Sequence, residues 1–175
     1  MRIKLTITAL VVACAHLGAQ RPAKPSPVCI VVADSAWQMA PQTTQTEVRP
    51  GWQIVDVKLK DKTTRYLWGN ASRQMADTAT PTFVVDPGSA TLADFVIIPL
   101  RQKREYRRFP HPDFRQCEHI AFDLDAAEVR LRADERFSVT LRQALRPGEY
   151  VVVNLKAAPL NESGDMEVYP FSVKK

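Results

Sequence analysis

TLADFVIIPLRQKREYRRF, residues 91–109, joins an apolar run to the densest basic run of the chain. Its first half, 95–100 (FVIIPL), is continuously apolar, as expected for a strand buried in a core. Its second half is basic, with Glu105 as the only acid. The stretch therefore predicts a core strand that continues into a charged, exposed segment.

Alternating apolar and polar residues extend outward from this stretch on both sides. Residues 54–60 (IVDVKLK) alternate before it, and residues 129–132 (VRLR) and 137–142 (FSVTLR) alternate after it. Turn sequences at 86–88 (DPG) and 147–148 (PG) separate such segments, and no run of about eleven residues keeps the helical period. Strands that recur about every 8–12 residues, with turns between them, are typical of a β-sandwich or barrel.

We therefore expect an all-β protein with one antiparallel β-sandwich of about seven to nine strands over residues 52–175. Residues 149–155 and 167–173 are predicted to be its last strands. Residues 20–51 are predicted to be a proline-rich leader and an irregular segment with one short strand. With 175 residues, the chain is long enough to bury a core without a metal.

The N-terminus has the parts of an export signal. Two basic residues precede an apolar segment at 5–13 (LTITALVVA), which is too short to span a bilayer, and small residues end at Ala19. Residues 1–19 are therefore predicted to be a cleaved signal peptide, and the mature chain is expected in the periplasm, secreted or at the cell surface. In the alternative, 11–14 (VVAC) resembles a lipobox and Cys14 carries a lipid.

The charge of the mature chain is small. Cleavage after Ala19 removes Arg2 and Lys4, so the basic residues fall from 24 to 22 against 19 acids and the formal charge falls from +5 to +3. Together with export, this argues against nucleic-acid binding. Membrane contact is expected only through a lipid on Cys14.

Two cysteines, Cys29 and Cys117, lie outside the predicted signal peptide. In an oxidising compartment they are a candidate disulfide. The loop that it would close is long, so the bridge would stabilise the fold by about 4–5 kcal/mol. Two buried free thiols are the alternative.

The basic residues after the core strand are the candidate binding site. In an extended strand they place cations on both faces, which is typical of a sheet edge or a hairpin rim. Such a rim would contact a protein or an anionic envelope component, or it would only protect an edge strand from aggregation. The candidate contact residues are Arg101, Lys103, Arg104, Arg107, Arg108 and Arg115.

A metal site is a weaker candidate. His111, Asp113, Cys117 and His119 are ligand types for zinc or copper. Pro112 stiffens the segment, however, and Cys117 suits a disulfide. We expect neither a metal nor another cofactor.

The sequence also contains no recognisable catalytic motif. Nucleophile-elbow, metalloprotease, phosphate-loop and dinucleotide-binding patterns are all missing from it. Asp123, Asp125 and Glu128 are close together, but alternation places the two aspartates on the solvated face, where nothing separates their pKa values. We expect no enzymatic activity.

Four aromatic residues, Trp37, Trp52, Tyr66 and Trp68, have two interpretations. Exposed indoles would form a platform for stacking on sugars. Tryptophan on a strand more often packs in a core, and the spacing of Tyr66 and Trp68 indicates one face of a hairpin. Core packing is the prediction.

Three segments carry a resemblance to known proteins: 82–85 (TFVV), 94–108 (DFVIIPLRQKREYRR) and 145–150 (LRPGEY). Over residues 52–173 the chain resembles a group of exported bacterial immunoglobulin-like β-sandwich domains without an assigned activity. The resemblance implies an immunoglobulin-like fold in which Tyr150 packs near a sheet corner. It implies no catalytic residues.

The leading hypothesis for function is a non-catalytic, exported binding or assembly module of the bacterial envelope, which contacts its partner through edge strands and a basic rim. The first alternative is a structural envelope component anchored by a lipid on Cys14. The second is a small envelope enzyme with no identifiable catalytic residues.

Overall fold

The computed structural model describes residues 26–51, 53–54, 57–58, 60–159 and 164–174. The predicted signal peptide 1–19, the lipobox Cys14, most of the proline-rich leader and Trp52 lie outside these residues. The described chain is all-β, with antiparallel sheets in a sandwich-like arrangement, which confirms the all-β, sandwich-like part of the prediction.

Short connections join the strands. Two of the connections contain a single turn of 3₁₀ helix: Leu92–Asp94, directly before the apolar run, and Phe114–Gln116, after the basic run. None of the described helical segments has the length and hydropathy of a membrane span. The described strands are β1 (Val28–Val32), β2 (Ser35–Gln38), β3 (Gln42–Thr43), β4 (Gln45–Arg49), β5 (Gln53–Ile54), β6 (Val57–Lys58), β7 (Lys62–Trp68), β8 (Met75–Ala76), β9 (Thr82–Val85), β10 (Phe95–Gln102), β11 (Tyr106–Arg108), β12 (Ile120–Ala121), β13 (Ala127–Leu131), β14 (Phe137–Leu141), β15 (Gly148–Asn154) and β16 (Glu167–Val173).

Among the described residues, the smaller of the two main sheets has five strands in the order β13-β14-β9-β1-β2. A two-residue turn joins β1 to β2, and its residues Ala33 and Asp34 have φ angles of 48° and 63°. A tight hairpin of this kind requires positive φ at both turn positions. Among the described strands β2 pairs only with β1, so it is an open edge of this sheet, and all four of its residues are exposed.

The larger sheet has nine described strands, with the path β3-β16-β15-β10-β11-β7-β4, and β12 and β8 added beside β10 and β16. Its two end strands, β3 and β4, are separated in the chain by a single buried residue, Thr44. The sheet therefore curls, and both of its faces can be covered.

β10 occupies the centre of this sheet, as its apolar sequence predicts. Phe95 and Ile97 belong to the first core cluster, between the two sheets, while Val96 and Ile98 belong to a second cluster on the opposite face. On one side, β10 pairs first with β12 and then with β11, and Pro99 lies in the gap between these two pairings. Its missing N–H therefore falls where the hydrogen-bond ladder is interrupted. The predicted core strand is confirmed.

The segment before residue 52 differs from the expectation of an irregular region with one short strand. β1 and β2 belong to the smaller sheet, and β3 and β4 pair with β16 and β7 of the larger one. Unlike the buried β1, strands β2, β3 and β4 lack a clear sequence period because they lie at sheet edges, where most side chains are exposed.

The expected disulfide between Cys29 and Cys117 is not formed, because both residues are buried free thiols. Cys29 alternates with Val28 and Ile30, which face the first cluster, so its side chain lies on the other face of the smaller sheet. Cys117 belongs to the second cluster. Both sheets and the first cluster separate the two sulfurs, whereas a disulfide requires Cα atoms about 5.5 Å apart.

Candidate functional site

The predicted basic run spans the hairpin between β10 and β11. β10 extends beyond the core to Gln102, and residues 103–105 form the turn. The N–H of Lys103 donates to the carbonyl oxygen of Tyr106 at 2.8 Å, which closes this turn. The three exposed cations here are Arg101, Lys103 and Arg104.

β11 is an interior strand, so the sheet-edge alternative for the basic run is wrong, whereas the hairpin-rim alternative stays a prediction. On one side Arg107 lies opposite Gln102 of β10, and on the other side it lies opposite Leu67 of β7. Both hydrogen-bonding edges of β11 are occupied. Its charges therefore do not serve to protect an edge.

Arg107 is buried, so it is not part of a contact surface. Its side chain is 2% exposed, and Nη1 lies 3.4 Å from Oε2 of Glu149, whose side chain is 7% exposed. Nε donates to the carbonyl oxygen of Gly69 at 3.0 Å. Nη2 donates to Oε1 of Gln42 at 2.6 Å and to the carbonyl oxygen of Trp68 at 3.3 Å.

Burial lowers the pKa of Arg107, and the neighbouring carboxylate of Glu149 opposes that shift. Glu149 Oε2 also accepts the N–H of Ser72 at 2.8 Å, and the Ser72 hydroxyl donates to the carbonyl oxygen of Pro170 at 2.8 Å. The pair thus connects β11, β15 and the loop after β7. Its role is structural, because a buried charge needs a partner and hydrogen bonds.

Of the two remaining predicted contact residues, Arg115 lies away from the hairpin and Arg108 stays within it. Arg115 donates to the carbonyl oxygens of Leu155, Ala158 and Pro159 at 3.1–3.2 Å. These carbonyls follow the last residue of β15, at the end of the sheet remote from the hairpin. Arg108 is half-buried in the sheet, opposite Arg101.

Strand pairing brings two unpredicted cations to the same end of the larger sheet as the hairpin. Leu100 lies opposite Glu149, and Gly148 lies opposite Val173, so the residues before β15 and after β16 lie at the same end of the sheet as the turn. In sequence each of these cations is only a single basic residue beside a strand. The resulting surface, here called the basic end, consists of the exposed residues Arg101, Lys103, Arg104, Arg146 and Lys174.

A second buried guanidinium, Arg65, was not a sequence candidate. It is 1% exposed, and its Cζ lies 4.4 Å from the centre of the Phe114 ring. Nε donates to the carbonyl oxygen of Pro112 at 2.7 Å, and Nη1 donates to Oγ1 of Thr44 at 3.1 Å. This arginine connects β7 to the loop after β11. Arg65 lies two residues before the buried Leu67, so the two side chains share one face of β7. This spacing is the sequence signal for the burial of Arg65.

The weaker metal candidates do not converge on a site. Nδ1 of His111 accepts the N–H of Asp113 at 3.1 Å, and the Cys117 thiol donates to the carbonyl oxygen of His111 at 3.4 Å. Nδ1 of His119 donates to the carbonyl oxygen of Cys117 at 2.8 Å. Within the described residues, no three His, Cys, Asp or Glu side chains are placed to hold a metal ion.

The carboxylates considered for catalysis have local structural roles. Oδ1 of Asp123 accepts the N–H groups of Asp125 and Ala126 at 3.2 and 2.9 Å, which shapes the turn before β13. Glu128 forms an exposed ion pair with Arg130. Neither arrangement places an acid and a base on a common reactant.

The tryptophans differ from the predicted core packing. Trp37 is 62% exposed and Trp68 is 49% exposed. Tyr66 does share a strand face with Trp68, as predicted, and the two rings meet edge to face with centroids 5.4 Å apart. The indoles are exposed because β2 is an edge strand and Trp68 is the last residue of β7.

No protein-family model, curated protein or solved structure matches this chain. The interpretation of the candidate site therefore depends only on the positions and charges of its residues.

Proposed function

We propose that this chain is a non-catalytic binding module of the bacterial envelope, exported by its signal peptide, which contacts an anionic partner through the basic end. The observation that carries the proposal is the convergence of five exposed cations from three separate parts of the chain. Within the described residues, none of the five forms an ion pair. Their charge is therefore available to a partner.

The two ends of the larger sheet differ in how their charges are balanced. The end opposite to the basic end carries both signs, with Asp94, Asp113, Asp165 and Glu167 beside Arg115, Lys156 and Lys62. At the basic hairpin Glu105 is the only acid beside the exposed cations, so an approaching anionic surface is attracted to that end. Because Arg107 and Arg115 have internal partners, they are excluded from the contact surface.

The immunoglobulin-like fold is part of the same proposal. Tyr150 donates its hydroxyl to the carbonyl oxygen of Arg146, four residues upstream, at 2.7 Å. A tyrosine that bonds back to the preceding turn is a feature of immunoglobulin-like sandwiches. In this chain the bond fixes the backbone of Arg146 in the turn that precedes β15.

Binding to anionic vesicles tests the contact surface. The triple variant Arg101→Gln, Lys103→Gln, Arg104→Gln removes three of the five cations without adding bulk. Each basic residue near an anionic surface contributes about 1 kcal/mol, so the variant is expected to bind phosphatidylglycerol vesicles about 100-fold more weakly than the parent. Parent binding should also weaken as salt increases from 50 to 300 mM, by screening.

The matched control is Arg130→Gln, Arg132→Gln, Arg142→Gln, which removes three exposed cations on or beside β13 and β14. It lowers the net charge equally but leaves the basic end intact, and it is expected to bind within about threefold of the parent. Equal losses in both variants would reduce the effect to net charge. No loss in either would refute the basic end as a contact surface.

A further inference from the structure

Two adjoining hollows follow the open edge of the smaller sheet. The first, of about 220 Å³, lies against β1 and β2 and includes Ile30 and Trp37. The second, of about 320 Å³, lies against the chain that follows β2 and includes Gln42 and Trp68. Arg73 and Gln74 border both hollows. The two hollows thus form one groove, with an exposed indole in each half.

Trp37 is exposed by its place in the fold. It lies directly opposite Ile30, which is buried in the first cluster, and therefore shares the inner face of the sheet. No strand lies beyond β2 among the described residues, so the indole extends past the core into the groove. Val32 and Met75 complete this apolar half. Trp37 and Met75 are both exposed in the same hollow, and adjoining apolar surface of this kind, unlike a single exposed side chain, marks interaction sites.

The other half of the groove is mixed in character. Trp68 has its Nε1–H bonded to Oε1 of Gln45 at 2.5 Å, and its ring packs edge to face on Tyr66. These two contacts hold the indole in one orientation. Pro41 and Ala71 add apolar surface beside it. A held aromatic ring is a preorganised platform, because little side-chain entropy remains to be lost on binding.

The polar residues of the groove are amides, a hydroxyl and guanidinium groups. Gln74 bridges the two walls where the hollows meet, with Nε2 donating to the carbonyl oxygen of Gln38 at 2.7 Å. Its Oε1 is buried and has no hydrogen-bond partner within the described residues. A buried amide oxygen of this kind is an acceptor that a ligand hydroxyl at the junction of the two hollows can pair with.

The charge of the groove has one sign. None of the described residues lining either hollow is Asp or Glu. Arg107, at the base of the second hollow, is balanced by Glu149, whereas Arg73 is exposed and forms no ion pair among the described residues. The loop that carries Arg73 also approaches the basic hairpin, because the N–H of Gly69 donates to the carbonyl oxygen of Glu105 at 2.9 Å.

These features together describe a site for a sugar chain. The C–H face of a pyranose stacks on an indole, its hydroxyls exchange hydrogen bonds with amides and hydroxyls, and a guanidinium pairs with a carboxylate. We propose that the groove between Trp37 and Trp68 binds a short acidic oligosaccharide, with uronate carboxylates at Arg73. The inference concerns a surface separate from the basic end and does not depend on it.

The experiment uses two probes and their neutral counterparts: tetramannuronate and tetragalacturonate, each as the free acid and as the full methyl ester. Isothermal titration with the mature chain measures the affinity. At least one free acid is expected to bind with a dissociation constant below about 1 mM. Its ester should bind more weakly by about tenfold, because the esters keep the stacking faces and lose the charge.

Three variants separate the parts of the site. Trp37→Ala and Trp68→Ala are each expected to weaken binding of the acid and of its ester by about tenfold. Arg73→Gln is expected to weaken binding of the acid alone. Leu131→Ala is the matched control, because Leu131 is a 69% exposed apolar residue on β13, at the other edge of the smaller sheet. Circular dichroism melting checks that every variant is folded.

The outcomes are decisive in both directions. If neither acid binds below about 1 mM, or if bound acid is insensitive to both tryptophan variants, the proposal is overturned. Equal binding of acid and ester overturns its charge component. Tighter binding of an extended octaglutamate peptide than of either acid would assign the groove to a peptide paired with β2, and would also overturn it. The triple variant of the basic end should leave tryptophan-dependent binding in place, so failure of one proposal is distinguishable from failure of the other.

Discussion

Replacing Arg107 with methionine tests whether this arginine, although it lies in the most basic run of the sequence, stabilises the fold. Arg107 lies 3.4 Å from Glu149, and both side chains are almost completely buried. It also donates to the backbone of Gly69 and Trp68 and to the side chain of Gln42. Methionine fills the space of the aliphatic stem but supplies neither the charge nor the donors.

The expected loss follows from what remains after the substitution. Glu149 would stay buried with the N–H of Ser72 as its hydrogen-bond donor. Removing one member of a buried ion pair costs about 3–5 kcal/mol, which is a large fraction of the 5–15 kcal/mol that is typical of a whole domain. In the double variant Arg107→Met, Glu149→Leu no charge is left unpaired, so part of the loss should be recovered.

Urea unfolding followed by circular dichroism measures the change, with the free energy obtained by linear extrapolation. The control is Arg104→Met, three residues earlier in the same basic run but exposed, for which we expect a change within about 0.5 kcal/mol. A loss below about 1 kcal/mol for Arg107→Met, or equal losses for the two variants, would refute the assignment of Arg107 to the interior.

Three further predictions concern the thiols and tyrosines. Cys29 and Cys117 should each react with iodoacetamide only after unfolding, with no mass change on reduction; a two-dalton increase on reduction would indicate the bridge. Burial raises the pKa of both thiols and of Tyr150 and Tyr169, so the folded chain retains protons that the unfolded chain releases. The stability that these groups contribute should therefore be constant up to about pH 8, and the melting temperature should fall as pH rises from about 8 to 11; a constant value over that range would contradict the burial of these groups. Tyr150→Phe should cost about 0.5–1.5 kcal/mol in urea unfolding, because it removes the bond to Arg146; an unchanged midpoint would show that this bond contributes nothing.

The strands with strong sequence patterns were predictable, and the edge strands were not. β10 has an apolar run that only burial on both faces explains, and β15 and β16 have similar runs. β2 and β3 are short, polar and exposed. When neither face of a strand is buried, its side chains need not alternate between apolar and polar. The backbone alone supplies the hydrogen bonds that hold such a strand in the sheet.

The candidate site was predictable only as a set of residue types. Sequence alternation distributes Arg101, Lys103 and Arg104 over two faces, but it does not indicate which strand lies on the far side of β11. β7 occupies that position, which makes β11 an interior strand and rules out the sheet-edge alternative. The exposed indoles were unpredictable for the same reason, since exposure depends on which neighbouring strand is missing.

In residues 91–109, some features follow from the sequence and others follow only from the tertiary structure. The sequence by itself determined that 95–100 is a core strand and that a charged hairpin follows it, because both depend on the polarity of adjacent residues. Only the tertiary structure decided that Arg107 is buried against Glu149 while Arg104 faces solvent. That distinction depends on contacts between residues far apart in the chain, and the solvation of a charge is set by whatever the fold places around it.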